Sequence, residues 1–182
     1  MEPIAPQVTN SDKIVNSAKE QARRGVFYDA SYSSLIYPGG DVPKDRGACT
    51  DVLIRSLRAT GVDLQKEIHE DMVAHFDLYP HRYGLSRTDA NIDHRRVPNH
   101  LVFMKRHALA LPLQTSGEPL KTWLPGDLVY WKMSPKLDHC GVVSNVKNAL
   151  GTPRVIHNCS VAIQENALDN WKIVGHFRYP VK

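Results

Sequence analysis

Three cysteines and nine histidines in a chain of 182 residues supply the side chains best suited to nucleophilic and proton-transfer chemistry. Cys49 stands in "DRGACTDVLIRSL", just after a glycine and at what the pattern predicts as the first turn of a helix. A thiol there faces unpaired backbone N–H groups and the positive end of the helix dipole, and both favour the thiolate. Gly47 permits a tight approach that leaves the sulfur accessible. Taken alone, a free cysteine is most often a small buried hydrophobe, and a nucleophile also needs a base and a group to orient it. His139 in "HCGVVSN" and His157 in "RVIHN" meet that need, because each falls on a predicted core strand. Alternation puts His139, Gly141 and Val143 on one face and Cys140, Val142 and Ser144 on the other, while Val155, His157 and Cys159 share a face. Pairing through the "KNALGTP" turn lays the two histidines side by side. Presented to a helix that starts with cysteine, they make a Cys–His pair with a third polar group to fix the imidazole. The same parity argues against a Cys140–Cys159 disulfide. Cys159 is a rival nucleophile, but in mid-strand it lacks the field of a helix terminus, and Cys49 is preferred.

The remaining polar residues exclude more than they suggest. His69, His75, His81, His100 and His107 show no partner pattern and read as solvated positions. No HExxH and no clustered Cys/His spacing appears, so neither a metal nor another cofactor is expected. Three cysteines do not make a disulfide framework. A net charge of +4 is mildly basic, but lysines and arginines are scattered. Arg95-Arg96, the densest positive spot, is too short to mark a nucleic-acid partner. No run approaches the eighteen or so apolar residues of a membrane helix, and "MEPIAPQVTN" has neither a basic n-region nor an apolar h-region. The expectation is therefore either a cytoplasmic protein or the mature form of an exported one.

The elements that must position these residues follow from periodicity and punctuation. The chain reads as a single domain over 1–182, without repeats or low-complexity segments. A loose lead covers 1–8. "TNSDKIVNSAKEQARRG" reads as a helix with a Thr9/Asp12 capping box and a stop at Gly25, and 26–48 as loop. The cysteine helix has Val52, Leu53, Ser56, Leu57 and Thr60 along one side and ends at Gly61; "LQKEIHEDMVAHF" reads as a third helix. Residues 78–122 carry few regular signals, and "NIDHRRVPNHLVFMKRH" looks like a polar loop running into a short segment. The last third changes character: "GDLVYW", "HCGVVSN", "RVIHN" and "GHFRY" are short apolar runs between Pro, Gly and Asn. Helices first and an antiparallel meander after them indicate the α+β class.

The order "WLPGDLVYW", "DHCGVVSN", "VIHN" resembles the C-terminal half of NlpC-type cysteine peptidases, a papain-like superfamily. More closely, "YPGGDVPKDRGACTDVLIRSLR", "NIDHRRVPN" and "GHFRYP" resemble the bacterial family called domain of unknown function 1287, grouped with those peptidases. The resemblance implies N-terminal helices packed on a C-terminal antiparallel sheet. It implies a catalytic core over about 45–180 with an insertion at about 63–122, 1–25 being a lead and helix. It makes Cys49 the nucleophile, His139 the base and then acid, and His157 the orienting residue, with Tyr37 a candidate for lining the oxyanion site. The sequence departs from the superfamily at Ala48-Cys49-Thr50, where Asp-Cys-Ser is usual, and in its long insertion. "NIDHRRVPN" reads either as a loop held by Asn and Asp side chains bonding to the backbone or as a substrate wall. In the second reading Arg95 or Arg96 grips a carboxylate while Asp93 and His94 shape the pocket.

The expectation is a cysteine amidase or endopeptidase that cleaves cell-wall peptidoglycan peptides through an acyl-enzyme. Such an enzyme works in the periplasm or elsewhere outside the cytoplasm. Two alternatives stand beside it: an acyltransferase with the same triad, and a non-catalytic envelope-binding module. Delivered into a neighbouring cell, the protein would be an antibacterial toxin with an immunity protein as its partner. Oligomeric state is not legible.

Overall fold

The computed structural model describes residues 7–81 and 84–181; part of the expected N-terminal lead, residues 1–6, lies outside them. It is an α+β domain of four α-helices and a six-stranded antiparallel sheet.

Helix α1 (Asn10–Arg24) is bounded as the sequence predicts. Thr9 and Asp12 form the capping box, and Gly25 ends the helix in the left-handed region at φ 63°, where a side chain is penalised. Ile14, Val15 and Ala18 recur at helical spacing and are buried, so one face of α1 is apolar. The next stretch is not only loop: β1 (Phe27–Tyr28) and β2 (Arg46–Gly47) form a two-residue parallel pair leading straight into α2 (Cys49–Arg58). Helix α2 is almost wholly buried and stops at Arg58, so Thr60 and Gly61 belong to the turn beyond it. Helix α3 (Leu64–Ala74) starts at the Asp63 cap.

The segment expected to be mostly irregular holds a real helix, α4 (Val97–His107). Its start is hard to read because Arg96 at the N-cap position makes no side-chain cap bond and a proline occupies the first turn. Proline is tolerated there because the first-turn N–H groups have no intrahelical partner. His100, expected at the surface, is buried on α4; its Nε2 bonds the His94 carbonyl and its Nδ1 lies 3.3 Å from the Tyr130 hydroxyl.

The sheet runs in the order β3 (Leu109–Ala110), β8 (Lys172–Arg178), β4 (Leu128–Ser134), β5 (Leu137–Lys147), β6 (Pro153–Asn158), β7 (Ala162–Glu165). Strands β4 to β7 are the meander, and β8 returns to pair with β4 on the other side. Alternation divides the core in two. Leu128, Tyr130, Cys140, Val142 and Ile156 pack with Cys49, Leu53 and Leu57 in one cluster. Val129, Trp131, Val143 and Val155 face the other way, with Trp123 and Leu168. Among the described residues, no helix is long and apolar enough to cross a membrane.

Candidate active site

The start of α2 is held by a backbone and side-chain clasp rather than by a capping hydroxyl. Ala48 at the N-cap position offers no acceptor, and instead Asp51 folds back to accept the Ala48 N–H at 2.6 Å. That fold-back explains Gly47, since a Cβ there would sit 2.9 Å from the Asp51 Cβ. Asp51 is in turn gripped by Arg95 Nε and Nη2, the latter at 2.9 Å. Arg95 also donates to the Ser31 and Asp29 carbonyls, at 2.7 and 3.0 Å. Thr50 closes the clasp by donating to the Arg95 carbonyl at 3.1 Å. The first turn of α2 thus carries a buried Asp51–Arg95 pair.

A second tie comes from the sheet. Asn158, next to His157, donates to the carbonyls of Val26 and Gly47 at 3.1 and 3.0 Å. One residue of β6 therefore faces the site while its neighbour pins the loop that delivers the cysteine.

On the strands the register does what alternation predicts. Gly141 pairs with His157, so His139 sits diagonally from His157, within reach on the same face. Gly141 keeps the space between them open, because a Cβ there would lie 3.1 Å from the His157 Cβ and 2.6 Å from Val155. His139 Nε2 meets His157 Nδ1 at 2.9 Å, and His157 Nε2 meets Glu165 Oε1 at 2.9 Å. The His139 ring stacks on Trp131, with centroids 5.5 Å apart, and stands edge-on to Trp171.

Cys159 lies just beyond the end of β6, not in mid-strand, and is exposed. Its Sγ is 3.3 Å from His139 Nε2 and 3.6 Å from His157 Nδ1. All three cysteines are free.

The electrostatics set two thiols low and one high. Cys49 is 5% exposed. Hydrogen bonding from Cys140 holds its thiol down to about 5 against the burial that would raise it, and His139 adds a hydrogen bond and its charge. Cys140 is driven up by burial and by the Cys49 thiolate beside it. Burial opposes a charge on His139, yet hydrogen bonds and charge from Cys159 and Cys49 carry it to about 9. Cys159 falls to about 6, burial being outweighed by its bonds to His139 and His157. The pattern is a thiolate–imidazolium set at neutral pH.

Cys49 opens on a cleft of about 390 Å³ lined by Tyr28, Tyr32, Arg95, Arg96, Lys136 and Leu137, among others. Of the five residues expected to bind substrate, Arg95 and Arg96 line this cleft. Arg95 does so as a structural clamp, with its guanidinium already committed to Asp51 and two carbonyls. Asp93 is buried and holds His69 Nδ1 at 2.9 Å and the Asp89 N–H at 2.7 Å. His94 is buried too, and burial with neighbouring cationic groups pushes it down to about 3. Tyr37 stands against His69, with ring centroids 5.2 Å apart, and is not a lining residue. Tyr28 takes the place beside Cys49 that the sequence offered to Tyr37; burial and the Cys49 charge both raise its hydroxyl. Glu165 and Asn158 carry no motif of their own. Their only sequence signals are the alternation of "AIQE" and the position of Asn158 directly after His157.

A helix opening with cysteine, laid on an antiparallel sheet that carries a histidine pair, defines an α+β protein with a buried Cys–His–His cluster. Residues 15–179 match the family described as Domain of unknown function (DUF1287), and the chain belongs to that family. It is 48% identical over 177 residues to "Uncharacterized protein YijF" of Escherichia coli (strain K12), an alignment that covers 97% of this chain and 85% of that protein. No solved structure matches.

Proposed function

We propose that this protein is a cysteine hydrolase of the NlpC-like kind that cleaves amide bonds in peptidoglycan stem peptides. The observation that carries the reading is Cys49 in the first turn of α2, lowered to a thiolate, beside the line His139–His157–Glu165. His139 Nε2 is taken by His157, so Nδ1 is the ring atom left to serve Cys49. The contact to His157, and that of His157 to Glu165, hold the His139 ring in the orientation this role needs.

The Cys49 thiolate attacks the amide carbonyl carbon. The N–H groups of Cys49 and Thr50 lie in the first turn of α2, where backbone donors lack intrahelical partners and can receive the oxyanion. His139 gives its proton to the leaving amine as the C–N bond breaks, leaving an acyl-enzyme. Neutral His139 then takes a proton from water, whose oxygen attacks the thioester, and the carboxylate leaves as the thiolate returns. Arg96 and Lys136 on the cleft wall suit the carboxylates of a stem peptide, and Tyr28 and Tyr32 give flat apolar surface beside them. That substrate places the work in the periplasm or elsewhere outside the cytoplasm.

Cys159 is the competing nucleophile, since it bonds His139 directly. Cys49 is favoured because it lines the cleft and begins a helix, whereas Cys159 does neither. The experiment is mass spectrometry of peptidoglycan fragments incubated with wild type, Cys49→Ala and Cys159→Ser. New peptide termini with wild type, absent with Cys49→Ala, are expected. Cleavage that survives Cys49→Ala overturns the assignment, and no cleavage by any form overturns the function.

A further inference from the structure

His139 Nε2, His157 Nδ1 and Cys159 Sγ all lie within 4.8 Å of one another. Their separations are 2.9, 3.3 and 3.6 Å. A tetrahedral zinc ion with bonds of about 2.0–2.1 Å to nitrogen and about 2.3 Å to sulfur requires edges of about 3.3 Å between nitrogens and about 3.6 Å from nitrogen to sulfur. The three donors therefore already span one face of such a tetrahedron to within a few tenths of an ångström.

We propose that these three side chains form a binding site for a thiophilic divalent ion of the zinc class, and that filling it switches the enzyme off. Two imidazoles and a thiolate are the donor types that zinc selects over harder cations. A fourth position is left for water. The surroundings are those of a metal site. The far nitrogen of His157 is held by Glu165, as ligating histidines are usually oriented by a carboxylate. Trp131 and Trp171 wall the His139 ring, and the exposed position of Cys159 gives an ion a way in. The sequence hides the site because no short Cys/His spacing spells it. His139 comes from one strand and the other two donors from the end of the next, and only the Gly141–His157 register brings them together.

The inhibitory half rests on the cysteine-hydrolase reading. An ion on His139 Nε2 and His157 Nδ1 occupies the contact through which His157 orients the base, and so displaces the interaction that holds the His139 ring in place. Cys49 is not one of the three ligands, so the site can fill while the nucleophile is still unmodified.

The test uses full-length protein stripped with a chelator. Zinc is titrated in competition with a colorimetric chelator, and cobalt(II) is added separately to read thiolate-to-metal charge transfer. One ion per chain is expected for wild type and for Cys49→Ala. Glu165→Gln should bind about 10–100-fold more weakly, and Cys159→Ser should lose the charge-transfer band with at least a hundredfold of zinc affinity. Should Cys159→Ser not fold, mass mapping of alkylation in wild type replaces it: bound zinc should shield Cys159. Absence of stoichiometric binding, or full affinity and an unchanged spectrum in Cys159→Ser, overturns the site, as does unshielded Cys159. The Cys49→Ala titration needs no activity, so it stands or falls apart from the hydrolase reading. In wild type, cleavage should disappear as zinc fills the site and return with chelator. Cleavage unaffected at full occupancy overturns the inhibitory half alone.

Discussion

Two histidine clusters sit on the same sheet, each built against a tryptophan, and they differ in what the imidazole touches. His176 on β8 stacks on Trp123, with centroids 3.5 Å apart and planes 2° from parallel. Its Nδ1 faces the Pro112 carbonyl at 2.7 Å and its Nε2 the Asp127 carboxylate at 3.0 Å. Asp127 also receives Arg178 and the Leu124 N–H, at 2.7 and 2.8 Å. The partners there are a backbone carbonyl and a carboxylate that Arg178 and the Leu124 N–H already hold. His139 on β5 stacks on Trp131, but its partners are two thiols and a second imidazole, groups that can themselves gain and lose protons. The first arrangement stores a conformation and the second can pass a proton. The Pro-Gly-Asp and Gly-His-Phe-Arg segments, which look as motif-like as the cysteine segment, are thereby explained as scaffold.

The contrast can be broken most sharply by paired substitutions. On the proposed hydrolase reading, Cys49→Ala should lower peptide cleavage by about 10⁴-fold or more, as loss of the nucleophile does in enzymes that work through an acyl intermediate, and leave the urea midpoint nearly unmoved. Asp127→Ala should do the reverse. It strands His176 and the Leu124 N–H in the interior, so unfolding free energy should fall by about 3–5 kcal/mol, measured by denaturant titration. Arg95→Ala should resemble Asp127→Ala, because Asp51 would be left buried and unpaired at the start of α2. A wild-type-like stability for Arg95→Ala, together with a raised KM, would return Arg95 to the substrate-gripping role its sequence position suggests.

A pH profile sharpens the same distinction from the chemical side. With chelator present, cleavage should be bell-shaped. The acid limb lies near 5, because Cys49 is lowered and its thiolate is lost as pH falls through that value. The alkaline limb lies near 9, because His139 is raised and its proton is lost as pH rises through that value. Outside these limits the rate should drop about tenfold per pH unit. A single limb near 8.5, the value of an ordinary thiol, would mean that the set does not act together.

How much of this was legible follows the range of the interactions. Thr9, Asp12 and Gly25 delimit α1 through contacts within a few residues. The facing of His139 and His157 needs only alternation and one hairpin, and both were within reach. The α4 helix was not, because Arg96 and Pro98 give its start no capping signal. Buried His100 was missed with it. The role of Arg95 depends on Asp51, 44 residues earlier. At the level of sequence, a clamp and a substrate ligand are the same exposed-looking arginine. Cys159 lies a single residue past the strand in which the sequence pattern puts it, and its contact with His139 rests on how β5 begins and β6 ends.

The smallest effect is the one that tests whether the histidine line is a relay or a stack. Glu165 bonds His157 Nε2, yet its side chain is 45% exposed, so water can replace part of what it does. Glu165→Gln keeps an oxygen able to accept that bond and removes the charge. Cleavage by the stripped protein should therefore fall by only about tenfold in kcat, about 1.4 kcal/mol, with KM unchanged. The alkaline limb should move to lower pH, because a carboxylate no longer supports positive charge along the imidazole line. A purely structural Glu165 would instead lower the thermal midpoint and leave the limb where it was. An unmoved limb with intact kcat would end the line at His157.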